Sequence, residues 1–141
     1  MLTEKDKIEQ FKRELKSYEY YQKKVQECNE ELEVIAHKLQ GVSSPTVKDV
    51  IYENAGNPYS NENKLQLMLE ESELIKERDK YIAMIGDIDA RLLKIHNADE
   101  REMIIDLYIK KINHEKVASD NYYANRAGMY KRINAILAKI I

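Results

Sequence analysis

The chain has little of what punctuates or staples a fold: 141 residues contain one cysteine, two prolines and four glycines. A single thiol, Cys28, excludes a disulfide framework and a multi-cysteine zinc site, and suits a reducing compartment. So few breakers argue against the turn-rich layout of an all-β fold and against a glycine-rich nucleotide-binding α/β fold. No run of 18 apolar residues occurs, and Met1 to Lys16 mixes acidic and basic side chains, so neither a membrane span nor a signal peptide is expected. HExxH ligand spacing, a Ser/His/Asp order and a DxDxDG calcium loop are missing too, and His37, His96 and His114 stand far apart. The expectation is a cytoplasmic protein with no enzymatic activity, metal or cofactor.

What is abundant is charge, at 34% of residues, together with Glu, Lys, Leu and Ile, the profile of long helices. The net charge of −2 hides an asymmetry. Residues 99–141 hold eight basic and six acidic side chains, and after Asp120 only basic ones remain: Arg126, Lys131, Arg132 and Lys139. A basic tail on a neutral chain is the footprint of a local anionic partner.

From Ile8, apolar residues recur at steps of three and four through Phe11, Leu15, Tyr18, Val25, Leu32, Ile35 and Leu39, which predicts one long helix. Thr3 is placed to cap it with Asp6 in a shortened capping box, Gln22 and Asn29 take polar heptad positions, and Gly41 is the stop signal. Residues 41–61 hold both prolines and read as a linker, in which Ser44 and Pro45 can open a short helix over 45–53 with Val47, Val50 and Ile51 inward. Residues 55–61 read as a turn. A second long helix is predicted over 61–95 on Leu65, Met68, Ile75, Ile82, Ile85, Ile88, Leu92 and Ile95. Two such helices of similar length imply a coiled-coil-like antiparallel hairpin. Leu67, Leu69, Leu74 and Leu93 lie off that seam, where a second copy or the linker helix would cover them. The expected division is 1–98 for association, as a dimer, and 99–141 as a separate domain.

In 99–141, Asp99 with Glu102 marks a helix over 100–109 burying Met103, Ile104, Leu107 and Tyr108. Asn113 can cap a short helix over 114–120 with Val117 and Ala118 inward, and a turn at 121–123 leads to a helix over 124–140 burying Met129, Ile133, Ile136, Leu137 and Ile140. Helix, short helix, turn and basic helix is the order of a helix-turn-helix. Asn and Arg at the start of such a helix are the side chains that read adenine and guanine edges, which nominates Asn125 and Arg126. Lys131, Arg132 and Lys139 would meet phosphates, with Tyr130 on the same DNA-facing surface. Of the ten tyrosines, Tyr18 is assigned to packing and Tyr122 or Tyr123 to an exposed role.

The segment from Arg101 to Ile141 resembles region four of bacterial sigma factors, and the whole layout is similar to small phage-encoded late transcription regulators of the ArpU and RinA type. Leu107 and Tyr108 match the end of the stem helix, Val117 and Ala118 the small-residue pair of the second helix, and Met129 and Ile133 the recognition-helix anchor and its partner. Val117 and Met129 lie twelve steps apart where the sigma-like pattern usually has eleven, so the turn around Tyr122 and Tyr123 is one residue longer. The resemblance implies an all-α regulator that binds double-stranded promoter DNA in the bacterial cytoplasm, with host RNA polymerase as a further partner. The alternatives are a DNA-packaging adaptor resembling a small terminase subunit, assembled as a ring of eight or more subunits, and a helical protein-interaction module without DNA binding.

Overall fold

The structure is a computed structural model that describes residues 2–43 and 61–141, with side chains for 2–40 and 63–141. These residues form six α-helices and one π-helical turn, with no strand among them, so the chain is all-α. The helices are α1 (Glu4–Lys16), α2 (Tyr18–Ser43), α3 (Asn61–Leu92), α4 (Ala98–Ile104), α5 (His114–Asp120) and α6 (Arg126–Ile140), and the π turn (Ile105–Ile109) continues α4. The expected linker helix over 45–53, its Ser44–Pro45 cap and the turn over 55–60 lie outside the described residues. Among the described residues no helix is long and apolar enough to cross a membrane.

The chain divides into two compact units, Met1–Gln22 with Ala83–Ile141, and Lys23–Ile82. This is not the division expected at 98/99. α1 packs against the π turn and α6, and Ile8, Phe11 and Leu15 enter one core with Ile88, Leu92, Met103, Leu107, Met129, Ile133 and Leu137. The physical reason is size, since a 43-residue trio of short helices has too little apolar surface to bury alone. Phe11 and Leu15, fully sequestered, each contribute roughly 1.5–3 kcal/mol of burial that the trio otherwise lacks.

Local signals set the ends of α1. Thr3 Oγ1 accepts from the Asp6 backbone N–H and the Asp6 carboxylate accepts from the Thr3 N–H, both at 3.2 Å, which closes the expected capping box and holds the Asp6 carboxyl below its usual range. The expected single helix is interrupted at Ser17, whose hydroxyl donates to the Arg13 carbonyl at 3.0 Å while its N–H is shared between Arg13 and Glu14. Such back-bonding competes with the regular ladder. α2 then runs past Gly41 to Ser43, because a glycine permits a left-handed cap but does not compel one.

Along α3 the C-terminal half of the expected stripe turns inward, with Ile85 half-buried and Ile88 and Leu92 buried, as is Ile95 just beyond the helix. In the second unit, where α2 and α3 flank one groove, the inward stripe is not the expected one. Leu67, Leu74 and Tyr81 are half-buried, whereas Leu65, Met68, Ile75 and Ile82 are exposed. The sequence pattern sets Leu67 and Leu74 off the seam. α3 carries two adjacent apolar stripes, and periodicity alone does not rank them. Cys28 is buried, and burial pushes its thiol pKa up, with Glu77 and Glu31 adding to the shift, so it is a packed side chain and not a poised nucleophile.

Candidate nucleic-acid interface

The C-terminal helices owe their positions to caps and one arginine. Asn97 caps α4 by accepting from the Glu100 N–H at 3.1 Å, two residues earlier than the expected Asp99 and Glu102 pair. Arg101 donates to the Leu92 carbonyl at 3.2 Å and to the Ile95 carbonyl, satisfying the open end of α3 and fixing where α4 leaves it. The helix expected to reach residue 109 becomes π-helical at Ile105, with the Lys110 N–H bonded to the Ile105 carbonyl at 2.9 Å. The wider turn lets three consecutive residues, Leu107, Tyr108 and Ile109, all face inward.

Asn113 caps α5 through the N–H groups of Glu115 and Lys116, as expected. Between α5 and α6, Tyr122 adopts a left-handed backbone with φ of 66° and is 97% exposed, while Tyr123 packs on the core. Of the two expected exposed tyrosines it is Tyr122 that stands out. Helix α6 starts at Arg126, two residues later than expected, because Asn125 is its N-cap and accepts from the Gly128 N–H at 2.9 Å. Met129, Ile133, Ile136, Leu137 and Ile140 form its buried stripe, as expected.

The nominated residues are not all equally available. Asn125 has committed its side-chain oxygen to the cap, so a bidentate bond to adenine requires giving up that contact. Arg126 is exposed but donates from Nη1 to His114 Nε2 at 2.9 Å, which draws the guanidinium back toward α5 and assigns the ring proton to Nδ1. Arg132 is bound to Glu100 by two contacts of 2.7 and 3.1 Å, which raises its already high pKa. Lys131 and Lys139 are exposed, with no ion pair or hydrogen bond among the described residues. Tyr130 is half-buried beside His114, ring centroids 6.5 Å apart.

At about 100° per residue, Lys131 stands opposite the buried stripe of α6, with Tyr130 and Arg132 on either flank. Each flank carries a pocket. On the Arg132 side, about 260 Å³ is lined by Lys94, His96, Arg132 and Lys139, with Glu100 as its acid. On the Tyr130 side, about 380 Å³ is lined by Lys12, Lys16, Lys111 and His114, with Glu9 as its acid. Cations therefore lie on both sides of the exposed helix face. Sequence reasoning missed the contribution of α1, because Lys12 and Lys16 lie over a hundred positions from Tyr130 and only the fold joins them. It also passed over His114, whose half-buried place beside Arg126 depends on the turn geometry. Comparison with known family models, with curated proteins and with solved structures found no match.

Proposed function

We propose that the chain is a DNA-binding transcription regulator of the phage type, in which α5, the turn at Tyr122 and α6 act as a helix-turn-helix. The observation that carries this reading is α6 itself: a helix with one apolar stripe in the core, Lys131 on its outward face and a cation-lined pocket on each flank. A helix about 10–12 Å across fills a major groove about 12 Å wide, so the two flanks would meet the two phosphate strands. Arg126 at the helix start and Lys131 on the outward face would approach base edges, and Lys139 and Arg132 one of the strands. Lys131 thus moves from the phosphate-facing group, where sequence placed it, to the groove floor. Asn125 would serve as the cap, and Tyr130 would support His114. No catalytic role is proposed. The second unit would serve association between copies, through the apolar side chains that α3 leaves exposed.

Binding to duplexes tiled over the neighbouring genome, followed by fluorescence anisotropy, tests the reading. Arg126→Ala should cost about 1–3 kcal/mol on the preferred duplex and little on a scrambled one, while Lys139→Ala should weaken both alike. Equal losses on the two duplexes for Arg126→Ala would remove the base-reading role. A second reading, a helical protein-interaction module, draws on the open groove of about 520 Å³ lined by Val34, Ile35, Leu69 and Leu74. Flat, salt-independent behaviour toward every duplex would favour it.

A further inference from the structure

The pocket on the Tyr130 flank has features that packing alone does not explain. Its cations come from two separate places, Lys12 and Lys16 from α1 and Lys111 from the loop after the π turn, with the His114 ring of α5 beside them. Lys12 is nearly enclosed, with a side chain only 12% exposed, and its ammonium lies 5.9 Å from the ring centres of both Tyr108 and Tyr130. Taking an ammonium out of water is costly, and its one carboxylate, Glu9, is exposed and sits at a long 3.4 Å. Lys16 and Lys111 have no partner among the described residues. Lys111 is moreover held in a left-handed backbone with φ of 57°, a conformation that crowds the Cβ of any residue but glycine. Tyr108 lines the same pocket, and its hydroxyl, on a residue 5% exposed, has no hydrogen-bond partner among the described residues. A buried donor left open in this way carries its desolvation penalty uncompensated.

We propose that this pocket is a phosphate seat formed by Lys12, Lys16, Lys111 and the Tyr108 hydroxyl, and that the group it takes in function is a backbone phosphate of the duplex held by α6. The second half rests on the regulator reading. An oxyanion at this place supplies the acceptor that the Tyr108 hydroxyl lacks, adds to the long Glu9 contact of Lys12, and counters a local charge that Glu9 alone does not balance. Tyrosine rings beside the seat keep water from the Lys12 ammonium, which strengthens its attraction for an anion. Arg126 reaches His114 at the rim, so the seat is continuous with the start of α6. Helix α1, which already completes the core, would then also hold one strand of the duplex.

Two arms on the full chain test the two halves separately. Inorganic phosphate titrated into ¹⁵N-labelled protein, against sodium chloride at matched ionic strength, should give saturable shifts at the amides of Lys111 to His114 and at Tyr130. Lys16→Gln, an exposed change that leaves the core untouched, should weaken the response several-fold, and Lys12→Gln should abolish it while Lys12→Arg restores it. No saturation beyond the chloride control, or saturation indifferent to these substitutions, would overturn the seat. In the DNA arm, Lys16→Gln should make the slope of log K against log salt shallower by about 0.9 and leave the preference among duplexes unchanged. An unchanged slope would overturn the duplex as the source of the phosphate. If the unmodified chain binds no duplex at all, the regulator reading and the duplex source fail together, while the phosphate titration still decides the seat.

Discussion

Arg101 shows how much one side chain can hold. It bonds the carbonyl of Leu92, the last residue of α3, and that of Ile95 in the loop beyond it; without it the Leu92 carbonyl keeps only the Ile95 N–H at 3.1 Å and the Ile95 carbonyl loses its charged donor. Arg101→Ala should therefore cost about 1–3 kcal/mol, read as a lower urea midpoint, and Arg101→Lys should recover only part, since an ammonium cannot reproduce the fork. Tyr18 gives a residue-scale dependence on pH. Its hydroxyl donates to Asp89 at 2.8 Å, and burial followed by this bond pushes its pKa up to about 12. The fold therefore keeps a proton that the unfolded chain releases near pH 10, and stability should fall as pH rises from about 10 to 12. Tyr18→Phe should be less stable at neutral pH but lose less over that window, as measured by denaturation midpoints across it. Tyr108, whose hydroxyl pKa is also raised by burial, leaves some decline in place. Caps such as Thr3 with Asp6, or Asn113, were legible because their partners lie within a few positions. Arg101 was not, because its acceptors belong to the preceding helix end and no residue type announces them.

At the scale of elements, the packing of α1 changes what the C-terminal helices need. Phe11→Ala should destabilise α4 to α6 by about 3–5 kcal/mol, although it lies on another helix. Amide hydrogen exchange at Met129 and Ile133 should speed up with it; unchanged protection there would show that α1 is not part of that core. The helices themselves were legible, since the three-four spacing is read within each segment, and α5 and α3 begin where their signals put them. What periodicity does not contain is the partner of a stripe. The same Ile8, Phe11 and Leu15 pattern fits a long seam with α3 or a seat on α6, and only the apolar deficit of the C-terminal trio favours the second. The π turn was equally hidden: Leu107, Tyr108 and Ile109 read as ordinary helix until three consecutive residues must all be buried.

At the scale of the whole molecule, the exposed α3 side chains call for a partner. Leu65, Met68, Ile75 and Ile82 repeat along one stripe and are exposed, and a run of large apolar side chains of this kind marks an interaction surface. Light scattering should give the mass of a dimer, and Met68→Glu with Ile75→Glu should return a monomer of unchanged helicity; a monomer from the unmodified chain would remove the association role. The measurement that bears most directly on function is anisotropy with tiled duplexes over a range of salt. Lys139 and Arg132 on one flank and the lysine seat on the other give about three phosphate contacts, so log K should fall with log salt at a slope of roughly −2 to −3, with one tile standing above the rest. Binding that is absent at low salt, or equal and salt-independent on every tile, would contradict a DNA-binding regulator.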